Sequence, residues 1–100
     1  MLADAVDPHR GPVQTVTIFT TSWCGECHVA KRLFDDAAIG YDEVDIENWD
    51  DPRGHLEELT GNRTVPQIVI GDKVLGGYDD LLALRRTGEI DRVLEAIRSG

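Results

Sequence analysis

The chain has 100 residues, of which 41% are hydrophobic and 29% charged, a composition typical of one globular domain rather than of a fibrous or disordered chain. Its net charge of −9 at pH 7 should repel the phosphate backbone of nucleic acids. No stretch approaches the ~20 apolar residues of a membrane span, and the start lacks the apolar segment of a signal peptide. We therefore expect a cytoplasmic monomer that binds neither nucleic acid nor membrane.

The pattern of apolar and turn-forming residues predicts a flexible leader over residues 1–12 and one domain over residues 13–98. β-Branched runs indicate strands, and apolar residues spaced i, i+3, i+4, i+7 indicate helices. In chain order we first predict a strand over Val13–Phe19, a helix that stops at Gly40, a strand over Tyr41–Ile46 and a helix from Asp51-Pro52 to near Gly61. Two strands follow over Gln67–Ile70 and Lys73–Leu75, joined by Gly71-Asp72. The last two elements are a helix capped by Asp79 or Asp80 that ends at Gly88, and a helix from Ile90.

This order of elements, β-α-β-α-β-β-α-α, also predicts the sheet. The first two strands are joined by a helix and must be parallel, with a right-handed crossover. The two-residue link makes the last two strands an antiparallel hairpin. The sheet is therefore expected to be mixed, with helices on both faces. The predicted buried faces of the first two helices comprise Ala30, Leu33, Phe34, Ala37 and Ala38, and then Leu56 and Leu59.

Two cysteines, Cys24 and Cys27, stand where the first strand gives way to the first helix. A helix N-terminus carries partial positive charge and unpaired N–H groups, which favour a thiolate. We expect Cys24 to be an acidic nucleophile and Cys27, one turn later, to resolve the disulfide that Cys24 forms. A bridge between them closes a loop too small to stabilise the fold much, so the pair is predicted to be redox-active rather than structural.

Three segments then carry a family resemblance: Thr20-Thr21-Ser22-Trp23-Cys24-Gly25-Glu26-Cys27, Gly61-Asn62-Arg63-Thr64-Val65-Pro66 and Gly76-Gly77-Tyr78-Asp79-Asp80. Over residues 13–98 the chain resembles the glutaredoxin family, and within it the mycoredoxins. The resemblance implies an α/β, thioredoxin-like (glutaredoxin) fold with a central mixed four-stranded sheet. It implies a thiol–disulfide oxidoreductase that reduces protein or small-molecule mixed disulfides, with no bound cofactor or metal.

The resemblance also implies roles for single residues. Pro66 is expected to be cis, so that Val65 offers its N–H and C=O to an extended substrate. Gly76 and Gly77 allow close approach of a small thiol's carboxylate at a helix start, and Asp80 is expected to hold an amine or sugar hydroxyl. Trp23 is expected either to pack or to cover the reactive sulfur. The full predicted substrate-binding set is Thr21, Trp23, Glu26, Thr64, Val65, Pro66, Gly76, Gly77, Tyr78, Asp79 and Asp80.

Two departures from the family pattern bear on specificity. Glutathione-dependent members usually carry a lysine three positions before the first cysteine, where this chain has Thr21. They also usually have proline and tyrosine between the cysteines, where this chain has Gly25 and Glu26. We therefore expect mycothiol rather than glutathione as the co-substrate. Expected partners are mixed-disulfide proteins and small thiols, with a flavin disulfide reductase as an open possibility.

Three other functions remain to be compared with this one. Cys24 to His28 fits the C-x-x-C-H pattern of covalent haem attachment, but the single methionine, Met1, leaves no convincing distal ligand. An iron–sulfur or zinc site would need more thiolates than one chain supplies, so a cluster would have to bridge two subunits. The third alternative is a redoxin that serves ribonucleotide reductase and is recharged by thioredoxin reductase.

Overall fold

The structure, a computed structural model, describes residues 14–99. The predicted leader, residues 1–12, lies outside the described residues. No helix in the described part of the chain is long and apolar enough to cross a membrane. The elements are β1 (Val16–Thr20), α1 (Gly25–Asp36), β2 (Asp42–Asp45), α2 (Pro52–Thr60), β3 (Gln67–Ile70), β4 (Lys73–Gly76), α3 (Tyr78–Thr87) and α4 (Ile90–Ser99).

The four strands form one mixed sheet in the order β2-β1-β3-β4. β1 pairs in parallel with β2, with Phe19 opposite Val44, and antiparallel with β3, with Ile18 opposite Ile68. β3 and β4 form the predicted hairpin, in which Ile70 pairs with Lys73. β1 is therefore a central strand, and the predicted mixed sheet is confirmed.

Alternate residues of β1 face two separate apolar clusters, because successive side chains of a strand point to opposite faces. Val16 and Ile18 pack in the larger cluster with buried residues of α1, α3 and α4, such as Phe34, Leu81 and Leu94. Phe19 packs on the other face in a smaller cluster with Ile46 and with Leu56 of α2. The sheet thus has helices on both faces, as predicted, and both faces hold β1 in place where it leads into the cysteine motif.

Two predicted buried positions are wrong, and both errors come from helix geometry. Ala38 is exposed, because α1 ends at Asp36 and Ala38 adopts a left-handed conformation with φ of 59°. Leu59 is 51% exposed, because α2 buries Leu56 and Thr60, which are one turn apart, and Leu59 lies beside that face. The predicted start of α2 at Asp51-Pro52 is confirmed, since Asp51 is the N-cap residue and accepts a hydrogen bond from Gly54 N–H at 3.3 Å.

The predicted cap of α3 is also wrong in its position. The N-cap is Gly77 rather than Asp79 or Asp80, and Asp80 sits three residues later with its carboxylate accepting from Gly77 N–H at 2.9 Å. This is the returning half of a capping box, which satisfies an N–H that the helix itself leaves free. The predicted end at Gly88 is confirmed, with Gly88 left-handed at φ of 83°.

A polar network of Glu43, Lys31 and Thr20 connects α1 to the sheet. Glu43 accepts from Lys31 Nζ at 3.0 Å and from the buried Thr20 hydroxyl at 2.8 Å, and these hydrogen bonds, Lys31 first, lower the pKa of Glu43. Glu43→Gln should lower the free energy of unfolding by about 0.5–1 kcal/mol at pH 7. The effect is small because the ion pair is partly exposed. A carboxylate with a lowered pKa stabilises the fold above its ordinary pKa and loses that contribution as the pH falls.

The cost of Glu43→Gln, measured by urea unfolding, should therefore shrink below the ordinary glutamate pKa of 4.5. Glu58→Gln serves as the matched control, since Glu58 is exposed and makes no ion pair among residues 14–99. An equal cost of Glu43→Gln at pH 7 and at acid pH would show that the charge contributes nothing.

Candidate functional site

The cysteine pair sits at the junction that the sequence predicted. β1 ends at Thr20 and α1 begins at Gly25, with Cys24 as the N-cap residue in extended conformation. Cys24 and Cys27 are joined as a disulfide, with their Cα atoms 5.2 Å apart. Cys24 is partly exposed, whereas Cys27 is only 1% exposed. This difference in access is consistent with the predicted roles of Cys24 as the attacking sulfur and Cys27 as the resolving one.

The helix start contributes directly to the chemistry of Cys24. The backbone N–H of Cys27 donates to Cys24 Sγ at 3.0 Å, so the sulfur takes the place of the usual N-cap oxygen. When the disulfide is reduced, this hydrogen bond and the positive end of the α1 dipole both favour the thiolate over the thiol. The geometry therefore supplies an activated sulfur without requiring a neighbouring base.

The loop before β3 lies against this sulfur. The Val65-Pro66 peptide bond is cis, as the family resemblance implied. The Val65 carbonyl oxygen is 3.8 Å from Cys24 Sγ, and the Val65 N–H has no hydrogen-bond partner within the described residues. A backbone with its polar groups free beside the reactive sulfur can pair with an extended substrate in the manner of an added strand.

Gln67, a residue that the sequence analysis treated only as the start of a strand, holds this loop in shape. Its buried side chain donates to Thr64 O at 2.9 Å and accepts from Asn62 Nδ2 at 3.1 Å. A Cβ atom added to Gly77 would lie 3.1 Å from Gln67 Nε2, so the start of α3 also packs closely on this amide. The one polar residue in an otherwise apolar strand was the sequence signal that could have identified it.

One groove runs between this loop and α3, and we call it the acidic groove. It has a volume of about 370 Å³, and its charged lining residues are Glu26, Asp79 and Asp80. No lysine or arginine lines it. It brings together seven of the eleven predicted substrate-binding residues, namely Glu26, Thr64, Val65, Gly77, Tyr78, Asp79 and Asp80. Pro66 and Gly76 do not line it, and neither do Thr21 and Trp23.

A second groove meets the first at Thr64 and Val65, and we call it the Trp23 groove. Its lining includes Thr21, Trp23, Glu47, Arg53 and Arg63, and its volume is about 440 Å³. Trp23 is 73% exposed, which excludes a packing role for this side chain in the described structure. Sequence patterns do not identify Glu47 or the two arginines as site residues, because only the fold brings the ends of β2, α2 and the Pro66 loop together.

Glu47 also fixes the turn that precedes Cys24. Its carboxylate accepts a hydrogen bond from Ser22 N–H, and the hydrogen bonds from the Ser22 side chain and backbone lower the pKa of Glu47. Glu47 N–H in turn donates to Asp45 Oδ1 at 2.8 Å. The carboxylate is therefore ionised at neutral pH and tethers the cysteine turn to the end of β2.

Glu26, in the first turn of α1, leads to a prediction about redox potential. Its negative charge opposes a thiolate on Cys24, so Glu26→Gln should stabilise the reduced form and raise the potential. One partly screened charge corresponds to about 5–30 mV for a two-electron couple. Equilibration against a thiol buffer of known potential measures the change.

Asp72→Asn is the matched control for this prediction. Asp72 lies in the β3–β4 turn, next to Gly71, whose N–H donates to Thr15 O at the start of β1. That turn is at the opposite end of β1 from Cys24, so the control should leave the potential unchanged. Equal potentials for wild type and Glu26→Gln would mean that solvent screens Glu26 fully.

Comparisons with known proteins agree with this arrangement. The family model described as Glutaredoxin matches residues 16–75. The chain is 41% identical over 81 residues to a glutaredoxin of Pseudomonas aeruginosa, covering 81% of this chain and 96% of the relative. It is 39% identical over 83 residues to a glutaredoxin of Neisseria meningitidis, covering 82% and 98%.

A solved structure shows the same fold. The crystal structure of a buckwheat glutaredoxin–glutathione complex superposes with a TM-score of 0.73 at 29% identity, covering 86% of this chain and 81% of that one. The chain therefore belongs to the glutaredoxin family of thiol–disulfide oxidoreductases, with Cys24 and Cys27 as its cysteine pair.

Proposed function

We propose that this protein removes mycothiol, rather than glutathione, from mixed disulfides, in the manner of a mycoredoxin. The observation that carries the proposal is the charge of the acidic groove, which holds three carboxylates and no cationic side chain. Glutathione carries two carboxylates and one ammonium group, so its net charge is negative and this groove would repel it. A thiol without carboxylates, whose cysteine is acylated and joined to a sugar, avoids that repulsion.

The start of α3 supports the same choice. From the family resemblance, Gly76 and Gly77 are expected to receive a ligand carboxylate at this helix end. In the structure the Gly77 N–H already donates to the Asp80 carboxylate at 2.9 Å, so this N–H is not free to bind a ligand carboxylate. Because this capping contact already satisfies the N–H, a ligand anion would gain less binding free energy at this helix start.

Thr21 supports the proposal from the other side of the cysteine motif. It stands where glutathione-dependent relatives usually carry a lysine, and it is 9% exposed with a buried hydroxyl that has no partner among the described residues. The position therefore supplies no positive charge for a tripeptide carboxylate or for the Cys24 thiolate. The helix start is left as the main source of thiolate stabilisation.

The reaction proceeds by two thiol–disulfide exchanges. The Cys24 thiolate attacks the small-thiol sulfur of the mixed disulfide, the protein thiolate leaves and takes up a proton, and the small thiol remains bonded to Cys24. A second small-thiol thiolate then attacks that small-thiol sulfur and releases Cys24 as a thiolate. Alternatively, the Cys27 thiolate attacks Cys24 Sγ, releases the small thiol and forms the Cys24–Cys27 disulfide.

The proposal includes its setting and partners. A reducing cytoplasm would keep the pair available for catalysis rather than permanently oxidised. The protein would act as a monomer on mixed-disulfide proteins, and a small thiol kept reduced by a flavin disulfide reductase would recharge it.

The test is NADPH oxidation on one model mixed disulfide with three separate reducing systems. We expect mycothiol with its reductase to give a rate at least about tenfold above glutathione with its own, since about 1.4 kcal/mol of carboxylate repulsion suffices for this ratio. Comparable or faster turnover with glutathione would refute the assignment. Faster turnover with thioredoxin reductase alone would favour the redoxin that serves ribonucleotide reductase.

Thr21→Lys provides the matching gain of function. A lysine at this position should increase turnover with glutathione about three- to tenfold, because it adds one favourable charge beside the site. Thr21→Met is the control for bulk without charge, and it should give no such increase. Similar effects of both substitutions would mean that size rather than charge determines specificity at this position.

A further inference from the structure

The Trp23 groove has no assigned occupant in the reaction described above. It meets the acidic groove at Thr64 and Val65, and the Val65 carbonyl oxygen lies 3.8 Å from Cys24 Sγ. A small molecule bonded to Cys24 and paired with the Val65 backbone can therefore extend in two directions. One end enters the acidic groove and the other enters the Trp23 groove.

Trp23 presents a large flat apolar face to solvent, being 73% exposed. An indole face in a polar groove suits a ligand that has one apolar face of its own and a rim of polar groups, because the apolar faces then exclude water together. The C–H face of a sugar ring has this character. A flexible polar chain or a small anion does not.

The polar groups around Trp23 are of both kinds that hydroxyl groups need. Glu47 and Asp51 offer carboxylate acceptors, while Arg53 and Arg63 offer donors. Hydroxyl groups both donate and accept, so a polyhydroxylated ring can use all four side chains. The pKa of Glu47 is lowered by its hydrogen bonds from Ser22, so its carboxylate is ionised at neutral pH and can accept a further hydrogen bond from a ligand.

Two further observations separate a sugar from a carboxylate ligand. Arg63 is already paired with Glu57 at 2.8 Å, so the positive charge left to the groove is mainly that of Arg53, in a lining that also contains the carboxylates of Glu47 and Asp51. The buried Thr21 hydroxyl, on a residue that is 9% exposed and lines the groove, has no partner among the described residues. A hydroxylated ligand, directly or through water, can supply that missing hydrogen bond.

We infer that the Trp23 groove binds the sugar portion of a glycosylated cysteine thiol, with the ring stacked on Trp23 and its hydroxyl groups on Glu47, Asp51 and Arg53. The inference rests on the proposed function and deepens it, since it assigns the non-thiol part of the co-substrate to a site. Recognition of the sugar then places the thiol sulfur at Cys24 and leaves the acidic groove for the uncharged acyl end.

The test compares two mixed disulfides that share one chromophoric leaving thiol and differ by a sugar. One carries N-acetylcysteine amide and the other carries N-acetylcysteinyl-glucosamine, so that neither has a carboxylate. With wild-type protein the sugar-bearing disulfide should have a KM about tenfold lower. Trp23→Ala and Arg53→Ala should each reduce this ratio of KM values to about threefold or less. Both side chains are exposed, so neither variant should fail to fold.

Leu59→Ala is the matched control, because Leu59 is a large exposed apolar residue that does not line the groove, and it should keep the full ratio. A ratio near one in wild type, or an unchanged ratio in both groove variants, would overturn the inference. A loss that is equal for both small disulfides and for a protein mixed disulfide would instead assign the groove to protein docking and also overturn it.

Failure of this inference can be distinguished from failure of the proposed function. If glutathione reduces the protein as well as mycothiol does, the proposed function fails whatever the groove variants show. If the mycothiol preference holds while Trp23→Ala and Arg53→Ala keep the full ratio, only the assignment of the sugar to this groove fails.

Discussion

Replacing Cys24 by serine should abolish reduction of every disulfide substrate, whereas Cys27→Ser should keep activity on small-thiol mixed disulfides. Cys24 is the partly exposed N-cap of α1, and its sulfur accepts the Cys27 N–H at 3.0 Å. Serine at position 24 has no thiolate at neutral pH, and we expect a loss of at least about 10³-fold. Steady-state rates on one small-thiol adduct and one dithiol substrate measure both effects.

The two variants also give different covalent products. Without Cys27 the adduct between Cys24 and the small thiol has no internal resolving sulfur, so it should accumulate and add the mass of that thiol to the intact protein. Added free thiol should then release it. Equal loss of activity in both variants on small-thiol adducts would contradict the monothiol route, and activity retained by Cys24→Ser would contradict the choice of nucleophile.

The sequence predicted this centre well because its determinants are local. Cys24 and Cys27 lie within eight residues of the end of a β-branched strand, and the helix that follows shows the apolar spacing of a buried face. The strand pairing followed equally from short-range features, since Gly71-Asp72 forms the hairpin turn with Gly71 at φ of 62°. Local patterns therefore sufficed for the fold and for the two sulfurs.

The surroundings of the sulfurs were harder to predict, because they depend on contacts between distant segments. Glu47 reaches Ser22 across 25 residues, and nothing in its own neighbourhood marks it among the many acids of the chain. The cap of α3 was placed two or three residues too late, because aspartate is a good N-cap by itself. Here Asp80 serves better at the third helical position, where its carboxylate reaches back to Gly77.

The same helix start explains why a glycine is needed at position 76. Gly76 has φ of 120°, a conformation that side chains rarely adopt. A Cβ atom added there would also overlap the Asp80 carboxylate, which must stay in place to accept the Gly77 N–H. Two separate costs, backbone strain and displacement of a capping group, therefore fall on any substitution at this position.

Gly76→Ala should accordingly lower the free energy of unfolding by about 2–3 kcal/mol, the sum of one strained residue and one weakened cap. Gly88→Ala is the matched control. Gly88 also has a positive φ, 83°, but a Cβ atom there meets nothing within 4 Å, so only strain of about 1 kcal/mol should appear. Urea unfolding of the oxidised proteins measures both values.

A double-mutant cycle separates the two costs at Gly76. Asp80→Ala removes the carboxylate that the new Cβ atom would strike, so the double variant should be more stable than the sum of the single effects predicts. The coupling should be about 1 kcal/mol, because Asp80 is exposed and its cap is one hydrogen bond. Strict additivity, or equal costs for Gly76→Ala and Gly88→Ala, would mean that Asp80 rotates away freely and that the start of α3 tolerates a side chain at position 76.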